Sequence, residues 1–154
     1  MFDIRPMTLE DAAPVARWMA QIEPWVRYGA IPERVQARLE KGIANGDVVL
    51  TADIDGAQAR GLAFCALTGM FDRSPYLRWL AIHPDHSGAG IGAMLLAAVE
   101  EAVKPHDRDL FLLAADFNTG AQRFYERQGY RRMALLPDYV VAGVAEVLYW
   151  KRLL

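Results

Sequence analysis

The segment Asp116-Phe117-Asn118-Thr119-Gly120-Ala121-Gln122-Arg123-Phe124-Tyr125-Glu126-Arg127-Gln128-Gly129-Tyr130 reads as a short helix with both ends marked. Thr119 and Gln122 are spaced as a capping box at its start, and Gly129 supplies a left-handed stop. Ala121, Phe124, Tyr125 and Gln128 share one face by i, i+3, i+4, i+7 spacing, which turns Tyr125 inward beside Phe124. A buried phenol needs a hydrogen-bond partner, so Tyr125 is either a packing residue or a group with chemistry to perform.

Upstream, His83-Pro84-Asp85-His86-Ser87-Gly88-Ala89-Gly90-Ile91-Gly92-Ala93-Met94-Leu95-Leu96 places three alternate glycines between a strand and a helix. Ile91, Leu95, Ala98 and Ala102 give that helix one apolar face, so the glycines stand at a genuine helix start. Glycine lets backbone amides approach an anion, and the helix terminus adds donors and a favourable dipole. A plain tight turn between strand and helix needs only one or two glycines. Gly88-x-Gly90-x-x-Ala93 also fits a relaxed dinucleotide-binding fingerprint, with Asp116 beyond the next strand. Against it, Pro84-Asp85-His86-Ser87 separate the strand from the first glycine, and the preceding chain reads as an antiparallel hairpin. A phosphate loop of the nucleotide triphosphatase type lacks its closing Lys-Ser or Lys-Thr.

Working outward, Phe2 and Ile4 alternate with polar neighbours as a short edge strand before Pro6, and Thr8 caps a helix carrying Val15, Trp18, Met19 and Ile22. Pro32 to Asn45 reads as a second helix ending at Asn45-Gly46. Glu23-Pro24-Trp25-Val26-Arg27-Tyr28 between them reads as a mobile aromatic loop. Val48 to Ile54 and Gly61 to Thr68 form a hairpin around Asp55-Gly56. Tyr76 to His83 is a strand, Gly90 to Lys104 a helix, Leu110 to Ala115 a strand and Gly120 to Gln128 a helix, an order that implies a parallel pair with a right-handed crossover. Tyr130 to Leu135 and Ala145 to Lys151 supply the last strands. The expected fold is a mixed α/β sheet of about seven strands, antiparallel at both ends and parallel in the middle, with flanking helices.

A chain of 154 residues has the size of one domain, and its 53% hydrophobic content suffices for a core, so residues 1–154 are read as a single unit. The formal net charge of −2 supplies no basic field for nucleic acid or anionic lipid, and neither partner is expected. No stretch has the apolar length of a membrane span, and the start lacks the pattern of a secretory leader, which points to a cytoplasmic protein. Cys65, the lone cysteine, lies in the apolar run Leu62 to Leu67 and reads as a small buried hydrophobe.

Taken together, the two motifs resemble the GCN5-related N-acetyltransferase superfamily. Its second motif, Asn-x-x-Ala-x-x-Phe-Tyr-x-x-x-Gly-Tyr/Phe, matches here at Asn118, Ala121, Phe124, Tyr125, Gly129 and Tyr130, and its glycine loop matches at Gly88, Gly90 and Gly92. Ile4-Arg5-Pro6 with Glu10-Asp11-Ala12 resembles the opening strand and helix, and Ala81-Ile82-His83-Pro84 the fourth strand and its exit. Ser87 stands where the family often carries Arg or Gln, a small change for a loop that binds phosphate through backbone amides.

The resemblance implies an N-acyltransferase using acetyl-CoA as cosubstrate, with a primary amine of a small molecule, amino acid derivative or peptide as acceptor. Ser87, Gly88, Ala89, Gly90, Ile91, Gly92 and Ala93 would cradle the pyrophosphate. Leu80, Ala81 and Ile82 would line the pantetheine arm as an added strand, and Asn118 would hydrogen-bond it. Tyr125 would act as general acid toward the leaving thiolate. Glu23, Trp25, Tyr28, Trp79 and Tyr139 are candidates for holding the acceptor, the aromatics through dispersion and cation–π attraction. The fourth strand carries no carboxylate where many relatives place one, leaving Glu23, Asp72 and Glu146 as candidate bases. That gap also keeps open an alternative, a non-catalytic acyl-CoA sensor or assembly module on the same fold. His83, Asp85 and His86 lack the further ligands a metal needs, so none is expected. Ser74 and Ser87 lie in no nucleophile elbow and read as turn residues. A homodimer through the C-terminal strands is the expected assembly, if any forms.

Overall fold

A computed structural model describes residues Met1–Leu154. The strands are β1 (Phe2–Pro6), β2 (Val48–Ile54), β3 (Ala57–Met70), β4 (Ser74–Ile82), β5 (Asp109–Ala115), β6 (Arg131–Leu136) and β7 (Glu146–Arg152). The helices are α1 (Leu9–Met19), α2 (Pro32–Ala44), α3 (Ile91–Val103) and α4 (Thr119–Arg127). One seven-stranded sheet runs in the order β1-β2-β3-β4-β5-β7-β6, with every neighbour antiparallel except the β4–β5 pair. The mixed sheet with its parallel centre is the expected one. No helix is long and apolar enough to cross a membrane.

Each face of the sheet carries its own apolar layer. Val15, Met19, Val35 and Leu39 of α1 and α2 pack on Leu62 and Phe64 from one side. Leu95, Leu96, Val99 and Val103 of α3 pack on Leu77, Leu110 and Leu112 from the other, together with Tyr125, Tyr130 and Tyr149. Arg5 ties the N-terminal corner: its guanidinium bonds both carboxylate oxygens of Asp11 at 2.8 and 3.1 Å and both of Asp53 at 2.9 and 3.1 Å. Asp11 in turn accepts the Thr8 N–H at 2.8 Å and so fixes the start of α1.

Asp55 and Gly56 adopt φ of 51° and 83°, the left-handed pair that joins tightly twisted hairpins. β3 starts four residues earlier than Gly61, because Ala59 sits left-handed at φ 55° and its N–H is held at 2.9 Å by Asp53. That side chain anchors a segment whose own strand propensity is low.

The decisive irregularity lies in β4. Phe64 pairs with Trp79 and Cys65 with Leu77, so Arg78 is an extra residue that β3 does not match. A bulge bends its strand and increases the local twist. Parallel pairing with β5 accordingly stops after Tyr76 and Leu77, and from Arg78 to Ile82 the β4 edge facing β5 is unpaired.

Helix α4 corrects one expectation. The cap is Asn118, whose side-chain oxygen accepts the Ala121 N–H at 3.1 Å, in place of a Thr119/Gln122 box. Asn is at least as good a cap as Thr, and the Gln122 amide bonds the carbonyls of Ala115 and Asp116 at 2.9 and 3.1 Å.

Candidate active site

The gap between β4 and β5 opens into a cleft of ≈ 240 Å³ whose polar lining includes Asn118, Tyr125, Tyr28, Arg78 and Glu146. Beyond Ile82 it leads toward the glycine loop. Gly88 and Gly90 hold φ of 87° and 76°, and a Cβ on either would meet no protein atom within 4 Å. None of the six amide N–H groups from Gly88 to Ala93 bonds another backbone group; the first bond of the helix is Met94 N–H to the Gly90 carbonyl. Five of these free donors, those of Gly88 and of Gly90 to Ala93, belong to one concavity at the helix start with Arg127 on its rim, an anion cradle. A free strand edge beside it suits an extended chain bearing amides. The residues present therefore fit a ligand with a pyrophosphate at one end and an amide-bearing arm.

Three buried tyrosines pack together behind the cleft. The Tyr125 ring lies 5.8 Å from that of Tyr130 and 6.2 Å from that of Tyr149. Tyr130 donates to Glu100 at 2.8 Å and Tyr149 to Glu126 at 2.6 Å. The Tyr125 hydroxyl has no partner in the protein and belongs to the cleft wall. Burial raises its pKa, so the phenol keeps its proton through neutral pH.

Glu146, the first residue of β7, sits opposite Ala115 and is 4% exposed. Burial pushes its pKa up, the Tyr28 hydroxyl donating at 2.6 Å pulls it down, and the neighbouring Asp116 charge pushes it up again; burial dominates. A carboxylate so placed is a stronger proton acceptor than a free one.

The aromatic segment after α1 is pinned, contrary to a free loop. Val26 N–H bonds the Ile22 carbonyl at 3.0 Å, Tyr28 N–H that of Pro24 at 3.2 Å and Ala30 N–H that of Trp25 at 3.0 Å. The Arg27 guanidinium lies 3.8 Å from the Phe117 ring centre, and Tyr28 reaches Glu146, so the segment closes one wall of the cleft.

Trp25, Tyr28, Trp79, Leu80, Asn118 and Tyr125 come together in that cleft. Ser87, Gly88, Gly90, Ile91, Gly92 and Ala93 line the anion cradle with Ile82, whereas Ala89 does not. Ala81 turns its methyl into the layer under α1 and α2, leaving only its backbone on the free edge. Tyr139 lines an adjoining cavity with Tyr76 and Arg78. Glu23 stands outside the cleft lining, facing Arg27 at 3.8 Å, and Asp72 lies in the exposed β3–β4 turn at φ 55°, so neither is placed to act as a base. His83 has a local role: its Nδ1 accepts the Asp85 N–H at 3.1 Å. Burial pushes the Cys65 thiol up to about 12, which leaves it unreactive. Arg78, Tyr76 and Arg127 are site residues that sequence reasoning missed. An arginine inside the apolar strand Tyr76 to Ile82 was the one available signal.

Residues 45–132 match the family model described as "Acetyltransferase (GNAT) domain". Among solved structures, a ribosomal-protein-alanine N-acetyltransferase from Brucella melitensis is 22% identical, with TM-score 0.81 and coverage of 98% of this chain and 99% of that one. An acetyltransferase from Thermus thermophilus is 22% identical, with TM-score 0.76 and coverage of 99% and 97%. A phosphinothricin acetyltransferase from Sinorhizobium meliloti, solved in complex with acetyl-CoA, is 13% identical, with TM-score 0.79 and coverage of 99% and 88%. No curated protein matches the chain.

Proposed function

The chain belongs to the GNAT acetyltransferase family, and from that premise we propose that it moves the acetyl group of acetyl-CoA to a primary amine by direct attack, with Tyr125 as general acid and Glu146 as general base. The observation that carries this reading is the contrast among the buried tyrosines: two are committed to carboxylates and the third, in the cleft, is not.

Acetyl-CoA supplies an activated thioester. The amides of Gly88 and of Gly90 to Ala93, with the helix dipole behind them, hold its pyrophosphate. The free β4 edge from Arg78 to Ile82 pairs with the pantetheine arm, and a backbone N–H there polarises the thioester carbonyl. Asn118 spends its side-chain oxygen on the α4 cap and keeps its two amide hydrogens for the arm. Glu146 accepts the proton of the incoming ammonium, directly or through one water, because only the neutral amine attacks. Tyr125 hands its proton to the departing thiolate.

A sensor without turnover has no use for a raised carboxylate and an unpartnered phenol in one cleft. Glu146 on β7 stands in for the carboxylate that β4 lacks, which removes the main support for that alternative.

The test is calorimetric titration with acetyl-CoA, with NADH as control, followed by thiol release over a panel of amines. Micromolar acetyl-CoA binding with release on some amine supports the reading. NADH binding alone, or acetyl-CoA binding without release on any amine, overturns it.

A further inference from the structure

Arg78 is the bulged residue of β4 and borders the cleft, the cavity behind Tyr139 and a wider groove along α2. Its Nε is sealed from solvent and bonds nothing in the protein. The guanidinium lies 5.5 Å from the Tyr76 ring centre and 5.9 Å from that of Phe64, contacts that leave its N–H donors without acceptors. It makes no ion pair. Two more cations, Arg38 and Lys41, line the groove from one side of α2 at i, i+3 spacing, and neither is paired. The single carboxylate in that groove, Asp47, accepts the Leu67 N–H on Oδ1 at 3.0 Å; its charge acts on Arg78 but no ion pair forms. Arginine has no neutral form in proteins, and its five donors are shaped for carboxylate or phosphate oxygens.

Charge within the cleft is sparse. Of its sixteen lining residues only Arg78 and Glu146 carry a formal charge, one of each sign. An amine held at Glu146 would leave the cation at Arg78 facing the rest of the acceptor.

We propose that the acceptor is an amine that also bears an oxyanion, a carboxylate or a phosphate, and that Arg78, with Arg38 and Lys41 behind it, selects that group. This rests on the acetyl-transfer reading of the cleft and extends it to substrate class.

Matched acceptors test it: each L-amino acid against its carboxamide, and O-phosphoethanolamine against ethanolamine, in the wild type, Arg78→Met and Arg78→Lys. The wild type should favour the anionic member of at least one pair by about tenfold or more in kcat/KM, carried by KM. The ratio should collapse toward one in Arg78→Met and be intermediate in Arg78→Lys, which keeps the charge but loses the fork. Which pair responds tells carboxylate from phosphate. A wild-type ratio of one in every pair, or an unchanged ratio in Arg78→Met, overturns the proposal. Should no amine be acetylated, the transfer reading fails by itself, and titration of N-acetyl amino acids against their amides onto CoA-loaded protein decides the site. Selective binding of the acids, lost in Arg78→Met, sustains anion recognition; equal or absent binding ends it.

Discussion

Replacing Tyr125 by Phe removes one hydroxyl that bonds nothing in the protein, so activity and stability should separate. A positioned general acid contributes about 10²–10⁴-fold, or about 2.7–5.4 kcal/mol of barrier. The ring stays in its layer between Tyr130 and Tyr149, and no hydrogen bond is lost, so folding should change by no more than about 0.5 kcal/mol. Tyr130→Phe provides the contrast. Its hydroxyl donates to Glu100, a carboxylate only 15% exposed and also bonded by Lys151. Losing a hydrogen bond to a charged group costs about 1.5–3 kcal/mol, a fall of roughly 3–12 °C in Tm for a domain of this size. Continuous thiol release and thermal melts of both variants make the comparison. Tyr125→Phe should lose kcat with its melt unmoved, and Tyr130→Phe should melt early. Because burial keeps the Tyr125 phenol protonated, the loss should also be level between pH 6 and 9. A Tyr125→Phe enzyme within threefold of wild-type kcat, or one that melts as early as Tyr130→Phe, refutes the assignment.

Glu146→Gln should lower kcat/KM by about 10²–10³-fold and abolish the acidic limb of the wild-type pH profile, whose midpoint should lie above the ordinary value of 4.5. Since folding raises this pKa, its contribution to stability is fullest at low pH and is lost as pH rises through the raised value; Glu146→Gln should therefore be no less stable at pH 7, as chemical denaturation will show. Arg5→Ala should destabilise by about 1.5–3 kcal/mol at neutral pH. Arg5 holds Asp11 and Asp53 below the usual 3.8, so that stability is present above the ordinary value and fades as pH falls through the lowered one; urea midpoints between pH 2 and 7 should converge for wild type and variant at the acid end. A Cβ at Gly90 meets no protein atom, but Gly90→Val forces a φ of 76° on a β-branched residue, at a cost of about 1–2 kcal/mol, and puts methyls into the cradle. Acetyl-CoA titration should show no binding while circular dichroism still reports a folded chain.

The fold was legible wherever the signal was local. Alternate glycines before an amphipathic helix, and Asn118 to Tyr130 with its inward Tyr125, describe features set within a few residues of themselves. Element ends were less so: Asn118 and Thr119 compete for one cap, and only the folded chain shows the Gln122 amide turned to Ala115 and Asp116. The β4 bulge was invisible because it exists only as a mismatch between β3 and β4, and alternation along Tyr76 to Ile82 reads the same with or without it. Glu146 was visible as a carboxylate on a strand, but its place in the cleft depends on β7 inserting between β5 and β6, which pairs it with Ala115 across 31 positions of chain. Arg78 owes its isolation to the same kind of long-range pairing.

The most direct test of the central claim is a single-turnover experiment with excess enzyme, acetyl-CoA and a panel amine, quantifying free thiol and N-acetylated amine together. The account predicts equal amounts of both, formed at a rate that Tyr125→Phe lowers by about a hundredfold or more. Thiol without acetylated amine, or neither product from protein saturated with acetyl-CoA, would contradict it.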